Sequence, residues 1–231
     1  MKILSIDTSS NICSVSILEN NNIIYNKELK NTLTHSEKLM PMIEEAFKDI
    51  DFNISDIDLF VCSKGPGSFT GIRIGVATIH AFCDYYNKPG IGISSLEGLA
   101  YNIFPENLVC TMIDAKNDNV YSALFKCNND HYELLGSYKT GNISDILEDL
   151  SDYKNKKIHF IGSGAIVNKD KIQNSFENAV FYNNDKNDSN SISLATSALY
   201  KYNNNIDDVS LSPLYLKKSS AEIELEKKKK N

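Results

Sequence analysis

A glycine-rich turn carries the clearest potential for chemistry in this sequence. It comprises Gly65, Pro66, Gly67, Ser68, Phe69, Thr70 and Gly71, between a predicted strand and a predicted helix. Glycine lets the backbone bend tightly and expose its amides, and the first amides of a helix also point outward, so the turn could hold an anion. The turn is not a Walker loop, because no Lys-Ser or Lys-Thr pair follows Gly71, and its glycine spacing does not match a dinucleotide fingerprint.

Two aspartates stand where predicted strands end and could take part in phosphoryl transfer. Asp7 is followed by a threonine and two serines, and Asp114 by an alanine and a lysine. Neither is followed by the glycines that would let backbone amides approach a phosphate. We therefore predict that Asp7 is a turn and helix-capping group. Gly162 and Gly164 fit either an adenosine-binding loop or a tight turn before a helix.

The candidates for a nucleophile or a metal ligand lack partners at useful spacing. Ser68 lies in the glycine turn without a base nearby in the sequence, and His35 precedes a predicted helix, where Thr34 or Ser36 suits the capping position. No cysteine or second histidine lies at ligand spacing from His35. We therefore predict no catalytic residue, no metal site and no bound cofactor. The remaining histidines are interpreted as packed and neutral: His80, His131 and His159.

The composition is that of an acidic globular chain. Its 231 residues carry a formal net charge of −6 and are 42% hydrophobic. An acidic chain binds phosphate backbones poorly, and no apolar run approaches the ~20 residues of a membrane span. We predict a cytoplasmic protein that does not bind a membrane. The cysteines form no C-x-x-C pair and are predicted to be buried, reduced thiols: Cys13, Cys62, Cys83, Cys110 and Cys127.

Hydrophobic periodicity predicts a similar order of elements in both halves of the chain. The first half should contain strands at 3–7, 12–19, 23–29, 59–62 and 90–93, and helices at 36–50, 72–86 and 95–102. The second half should contain strands at 108–113, 120–125, 132–138 and 157–161, and helices at 143–150, after the glycines at 162–164, and at 193–202. We predict an α/β fold of two actin-like, ribonuclease-H-like domains with mixed sheets, the second domain eroded.

The same pattern predicts where the domains begin and end. Residues 1–105 should form the first domain and residues 106–190 the second. Residues 191–218 should form a C-terminal helix and segment that packs back on the first domain. Residues 219–231, which include Lys227–Lys230, should form a charged, flexible tail.

Two predicted helices carry more apolar surface than one buried face requires. The helix at 72–86 is apolar on nearly all sides, and such a helix must be covered on all sides. Both helices could lie inside the subunit core, or they could form a dimer face, which needs upward of ~1,000 Å² in total. The second interpretation assigns the interface to Leu39, Met40, Ile43, Phe47, Ile72, Arg73, Val76, Ile79, His80 and Cys83.

The motifs and their order resemble the TsaB (YeaZ) family over most of the chain. The resemblance rests on the glycine-rich stretch 65–75 and on shorter matches at 7–9, 35–41, 92–97, 114–121 and 213–216. The related catalytic family, TsaD, has two metal-binding histidines four residues apart. Ser95 and Leu99 stand at the corresponding positions here. Because leucine cannot bind a metal and a serine hydroxyl binds one poorly, the resemblance implies that this metal site is lost.

The resemblance also implies a function. It implies a non-catalytic subunit of the machinery that forms threonylcarbamoyladenosine next to the anticodon of ANN-decoding tRNAs. Its partners would be a TsaD-like catalytic subunit and a TsaE-like ATPase, with homodimers when the partner is absent and only indirect contact with tRNA. Three alternatives stay open: an actin-like phosphotransferase that uses Asp7 and Asp114, a metallopeptidase, and a purely homodimeric scaffold.

Overall fold

Two mixed β-sheets organise the chain, which the computed structural model describes at residues 1–30, 34–206 and 210–217. The first sheet contains β1 (Lys2–Asp7), β2 (Cys13–Glu19), β3 (Asn22–Leu29), β4 (Leu59–Gly65) and β5 (Gly90–Ser94). Its order is β3-β2-β1-β4-β5. The first three strands form an antiparallel meander, and β4 and β5 run parallel to β1.

The second sheet repeats this topology. It contains β6 (Leu108–Asp114), β7 (Asn119–Asn128), β8 (His131–Leu134), β9 (Lys139–Asn142), β10 (Ile158–Ile161) and β11 (Ala179–Phe181). Its order is β11-β10-β6-β7-β8, and β9 also pairs with β7. The meander β6–β8 corresponds to β1–β3, and the parallel strands β10 and β11 correspond to β4 and β5. The two halves of the chain therefore share one strand plan.

The helices cover the faces of these sheets. They are α1 (His35–Lys48), α2 (Phe69–Tyr86), α3 (Ser95–Ala100), α4 (Ile143–Asp149), α5 (Ser163–Val167), α6 (Lys169–Ser175) and α7 (Ser191–Asn203). Helices α1 and α2 pack on one face of the first sheet, in one cluster with Leu4 and Ile6 of β1. Helix α7 packs on the opposite face, where Leu194 contacts the cluster that contains Ile3. Because alternate residues of β1 point to opposite faces of the sheet, this strand packs against α1 and α2 on one side and against α7 on the other.

The element predictions hold for most of the chain and fail in several places, among them β9 and the separate helix α6, which were not predicted. The predicted strand at 132–138 is wrong: β8 ends at Leu134, Gly136 has a φ of 86°, and β9 begins at Lys139. A positive φ favours glycine and ends a ladder, so the chain turns there. The strand β11 was not predicted, because three half-buried residues give no periodic signal. The predicted domain boundaries stay a prediction, and the predicted tail at 219–231 lies outside the described residues.

No helix within the described ranges combines the length and the apolar character needed to cross a bilayer.

Candidate functional site

The glycine-rich turn packs directly against the end of β1. A Cβ atom added to Gly67 would lie 2.2 Å from the carbonyl oxygen of Ser9, and one added to Gly71 would lie 1.9 Å from that of Thr8. Real Cβ atoms do not approach other atoms so closely. These two positions therefore require glycine because backbone meets backbone there.

The amides of Ser68 and Gly71 in this turn form hydrogen bonds within the protein. The amide of Ser68 donates to the carbonyl oxygen of Ser9 at 2.7 Å, and the Ser68 hydroxyl accepts from the amide of Gly71 at 3.2 Å. The hydroxyl of Thr8 donates to the carbonyl oxygen of Gly71 at 2.7 Å. The prediction that this turn could hold an anion is therefore wrong for these amides, since backbone and side-chain oxygens already occupy them. Ser68 serves as the N-cap of α2.

The second sheet has an equivalent turn, and it is filled in the same way. A Cβ atom added to Gly162 would lie 2.3 Å from the carbonyl oxygen of Met112. The amide of Gly162 donates to the side-chain oxygen of Asn187 at 2.8 Å. Of the two interpretations of these glycines, the geometry supports the tight turn before a helix.

Asp7 lies buried at the end of β1, with 1% of its surface exposed. Its carboxylate accepts from the amide of Ser9 at 2.8 Å and from the hydroxyl of Ser189. Burial raises the pKa of Asp7 above the usual aspartate range, and these hydrogen bonds offset part of that effect. The predicted turn role fits this geometry. The predicted helix-capping role is wrong, because β2 follows the turn.

Asp114 occupies the equivalent end of β6 and is paired within its own loop. The side chain of Lys116 lies 2.8 Å from its carboxylate, and the backbone amide of Lys116 donates to it at 2.9 Å. Burial opposes ionisation of Asp114, but the bonds from Lys116 outweigh it and lower the pKa of this carboxyl. Lys116 thus already pairs with the Asp114 carboxylate, which a magnesium-nucleotide site would need as a ligand.

A cleft of about 740 Å³ separates these two strand ends. Its walls include the starts of α1 and α2, the Asp114 loop and the segment at 187–189. His35 lies at the start of α1 and is 8% exposed; its Nε2 lies 2.7 Å from the carbonyl oxygen of Ser10. A carbonyl can only accept, so Nε2 carries a proton there and joins α1 to the turn after β1. Thr34 is at the N-cap position without a side-chain cap bond.

The other histidines differ in their surroundings. His159 is buried, and its Nδ1 lies 2.6 Å from the hydroxyl of Tyr182; burial lowers its pKa. His131 is half-buried and stacks on Tyr200. His80 is exposed on α2, so the prediction that it is packed in the core is wrong. His80 lies on the side of α2 that points away from the first sheet, so the sheet does not cover it.

The positions that correspond to the metal ligands of TsaD lie in α3. Ser95 is fully buried, and its hydroxyl lies 2.6 Å from that of Ser63; Leu99 is 2% exposed and reaches the cleft. Over the described residues, no group of three histidine, cysteine or acidic side chains could hold a metal ion. All five cysteines are free thiols, and burial raises the pKa of Cys13 to about 11.

The predicted dimer residues divide into buried and exposed groups. Five of them are at most 5% exposed: Leu39, Ile43, Ile72, Val76 and Ile79. These side chains fill the space between the two helices and the first sheet. Phe47 and Cys83 are half-buried against the same core. Assigning the five buried residues to a dimer face is therefore wrong, because their contacts lie within the protomer.

The outward sides of the same helices carry the remaining candidates. We define the outward face as the exposed residues Met40, Arg73, Ala77, His80, Ala81 and Tyr85. Met40 is 50% exposed and Tyr85 is 82% exposed. The sequence also indicates that the small residues Ala77 and Ala81 would let a partner backbone approach this face, whereas it assigns no interface role to Tyr85.

The C-terminal segment at 210–217 lies beside the glycine-rich turn. The amide of Leu214 donates to the carbonyl oxygen of Lys64 at 2.7 Å. The ring of Tyr215 stacks on Phe69, with 4.8 Å between ring centroids and an interplanar angle of 10°. This segment therefore contacts both the end of β4 and the start of α2. Sequence spacing does not reveal these contacts.

Comparison with known proteins places the chain in a family. The family model for TsaD, tRNA N6-adenosine threonylcarbamoyltransferase, matches residues 30–225. The protein TsaB of Bacillus subtilis, named for tRNA threonylcarbamoyladenosine biosynthesis, is 32% identical over 176 residues, which are 75% of this chain and 76% of that protein. TsaB of Escherichia coli is 31% identical over 129 residues, 54% of this chain and 55% of that protein.

A solved structure has the same fold. A Pseudomonas aeruginosa protein described as similar to peptidase YEAZ superposes with a TM-score of 0.77 at 21% identity, over 94% of this chain and 99% of that chain. This likeness confirms the predicted α/β fold of actin-like type with two mixed sheets. Together, the family model and the B. subtilis relative show that this chain belongs to the TsaB (YeaZ) family, within the group of sequences that resemble TsaD.

Proposed function

We propose that this chain is a non-catalytic subunit in the biosynthesis of threonylcarbamoyladenosine in tRNA. The observation that carries the proposal is the 32% identity, over three quarters of both chains, to a protein named for that pathway. Its partner would be a TsaD-like catalytic subunit, bound through the outward face of α1 and α2. The product would be the modified adenosine next to the anticodon of ANN-decoding tRNAs.

The filled turns support a role without nucleotide chemistry. Glycines at 67, 71 and 162 bring backbone segments into contact, where a phosphotransferase would need open amides. The ligand positions of the TsaD metal site hold Ser95 and Leu99, both buried. These features favour a supporting subunit over the phosphotransferase and metallopeptidase alternatives.

The outward face supports a docking role. Met40 on α1 and Tyr85 on α2 expose large apolar surfaces, and the exposed residues Ala77 and Ala81 of α2 are small enough to let another helix approach closely. Apolar area buried in a complex contributes roughly 25 cal/mol per Å². We propose that this face binds the TsaD-like subunit, forms homodimers when that subunit is absent, and leaves tRNA contacts to other members of the assembly. A TsaE-like ATPase completes the proposed assembly.

Co-expression with the TsaD-like protein of the same organism tests the proposal. Mass measurement of the purified complex should give one copy of each chain or a simple multiple of that ratio. The variant Ala81→Glu, which places a charge on the outward face, should lose the complex and stay folded. The matched control is Asn155→Glu, on an exposed loop of the second sheet. Equal binding by both variants would place the docking surface elsewhere.

A second measurement tests the absence of catalysis. The purified chain, alone, should neither hydrolyse ATP nor form threonylcarbamoyladenosine on tRNA. Adding it to the TsaD-like and TsaE-like proteins should raise the yield of modified tRNA. Magnesium-ATP binding by the lone chain at micromolar concentration, abolished by Asp7→Ala, would support the phosphotransferase alternative instead.

A further inference from the structure

We propose that His159 and Tyr182 form an acid-sensitive latch, so that protonation of His159 releases the segment that crosses from the second sheet to the first. We define the crossing segment as residues 182–190, which connect β11 to α7. The inference concerns a conformational change within this chain, and it goes beyond the proposed function without depending on it.

The histidine is buried in the second sheet under the first residue of the crossing segment. His159 lies on β10 between β6 and β11, where its neighbours in register are Val109 and Val180. Its side chain is 6% exposed, and its Nδ1 lies 2.6 Å from the hydroxyl of Tyr182. The two rings are 5.7 Å apart between centroids, with an interplanar angle of 32°. The contact between these two side chains therefore ties the crossing segment to β10.

This environment suits a neutral imidazole and opposes a charged one. The Nε2 of His159 is buried and has no hydrogen-bond partner among the described residues. Protonation gives both ring nitrogens an N–H group, and the Tyr182 hydroxyl can accept from Nδ1 only. The titratable side chains that act on the ring are Tyr182 and Lys157, and the flanking strands present valines to it. Burial lowers the pKa of His159, and the positive charge of Lys157 lowers it further.

The crossing segment is fastened to both sheets. The side-chain oxygen of Asn187 accepts from the amide of Gly162, directly after β10, and its amide donates to the carbonyl oxygen of Tyr182 at 2.9 Å. At the first sheet, the hydroxyl of Ser189 donates to the carboxylate of Asp7. Residues 187–189 also form part of the cleft wall. Release of Tyr182 therefore loosens the connection between the sheets at the edge of the cleft.

The direction of the pKa shift defines the pH range in which the latch acts. An exposed histidine takes up a proton below roughly pH 6.5, whereas buried His159 does so only at a lower pH. The stability that neutral His159 contributes is therefore fully present above the ordinary histidine pKa and is lost as the pH falls below it. Because opening of the crossing segment gives the ring access to water, acid should favour the open state.

Hydrogen exchange measured by mass spectrometry tests this inference, after correction for the intrinsic pH dependence of exchange. In the wild-type chain, protection of the amides at 182–190 should fall about tenfold between about pH 8 and pH 5, whereas protection in α2 should not change. His159→Gln stays neutral and can still bond to Tyr182, so it should keep its protection in acid. The matched control is His131→Gln, which replaces a half-buried histidine and should lose protection as the wild-type chain does.

A second variant tests the latch from the side of the tyrosine. Tyr182→Phe keeps the ring and removes the hydroxyl, so at about pH 8 its crossing segment should already exchange as fast as that of the wild-type chain at about pH 5. The ring resonances of the histidines, followed by NMR over the same range, give an independent readout. The signal that is missing in His159→Gln should titrate at the pH where protection is lost.

Three results would overturn the inference. Constant protection of the crossing segment in the wild-type chain would show that His159 does not control it. An equal loss in the wild-type chain and in His159→Gln would assign the acid sensitivity to another group. A loss of the same size in α2 would show that acid unfolds the chain as a whole, without a separate opening of the crossing segment.

Discussion

The side-chain amide of Asn102 donates a hydrogen bond of 2.8 Å to the backbone carbonyl of Asp188, linking the two segments that connect the sheets. The same nitrogen donates to the carbonyl of Lys186 at 2.8 Å. Its oxygen accepts from the side-chain amide of Asn190 at 2.8 Å and from the hydroxyl of Ser193 at 2.5 Å. A single asparagine, 9% exposed, thus hydrogen-bonds to the second of these segments at two backbone carbonyls and two side chains.

Replacing Asn102 should destabilise the whole chain. Asn102→Ala leaves two backbone carbonyls and two side-chain donors without their partner in a buried site, and the expected loss is about 3 kcal/mol in the free energy of unfolding. Urea denaturation followed by circular dichroism measures it. Asn155→Ala, on an exposed loop, is the control and should change stability by less than ~0.5 kcal/mol. Equal stability of the two variants would show that these hydrogen bonds are replaced by water at no cost.

The glycine-rich turn provides a second test. Gly71→Ala places a Cβ atom 1.9 Å from the carbonyl oxygen of Thr8, so the turn and the end of β1 must move apart. The expected cost is about 3 kcal/mol. The control is Gly141→Ala in β9, where an added Cβ meets nothing within 4 Å. If thermal unfolding gave similar midpoints for both variants, the close packing between the turn and β1 would not contribute to stability.

The sequence predicts where the helices and strands lie more accurately than it predicts which distant residues contact one another. The strands β1 to β7 and the helix α2 follow from local periodicity, because alternation and helical spacing involve neighbouring residues. The role of Gly71 depends on Thr8, and that of Asn102 depends on Asp188, so neither follows from local spacing. The fold class follows from the order of elements, which repeats in both halves of the chain and so extends beyond local spacing.

The predicted dimer face shows the same limit within a single helix. The helix α2 is apolar on nearly all sides, and composition alone cannot tell which side the sheet covers. Val76 and Ile79 face the sheet, whereas Ala77 and Ala81 face outward. A substitution such as Val76→Glu would therefore disturb the core, and Ala81→Glu is the variant that tests docking.

A buried ion pair between α3 and α7 gives a third prediction. The Nζ of Lys201 lies 3.0 Å from the carboxylate of Glu97, and the two side chains are 12% and 7% exposed. Lys201→Met leaves the Glu97 charge buried without its counter-charge and should cost about 3 kcal/mol. Adding Glu97→Gln should recover most of this loss, because it removes that charge.

The matched control is an ion pair on the surface. Lys48 and Glu44 lie 2.7 Å apart, with side chains that are both 69% exposed. Lys48→Met should change the free energy of unfolding by less than ~0.5 kcal/mol, since water screens this pair. A similar loss from Lys48→Met and Lys201→Met would mean that burial does not strengthen the inner pair.

The buried carboxyl of Asp7 predicts how stability depends on pH. Burial raises its pKa in the folded chain, so between the ordinary aspartate pKa and the folded value the folded state binds more protons than the unfolded state. Stability contributed by Asp7 is therefore present at acidic pH and is lost as the pH rises through that window. Asp7→Asn removes this dependence, and its amide can still accept from Ser9 and donate to the hydroxyl of Ser189.

We expect the variant to be more stable than the wild-type chain at neutral pH, by a margin that shrinks on acidification. Denaturant midpoints at several pH values measure the margin, with the exposed Asp152→Asn as control. A wild-type chain more stable than Asp7→Asn at neutral pH would mean that Ser9 and Ser189 hold the ionised carboxylate firmly enough to outweigh its burial.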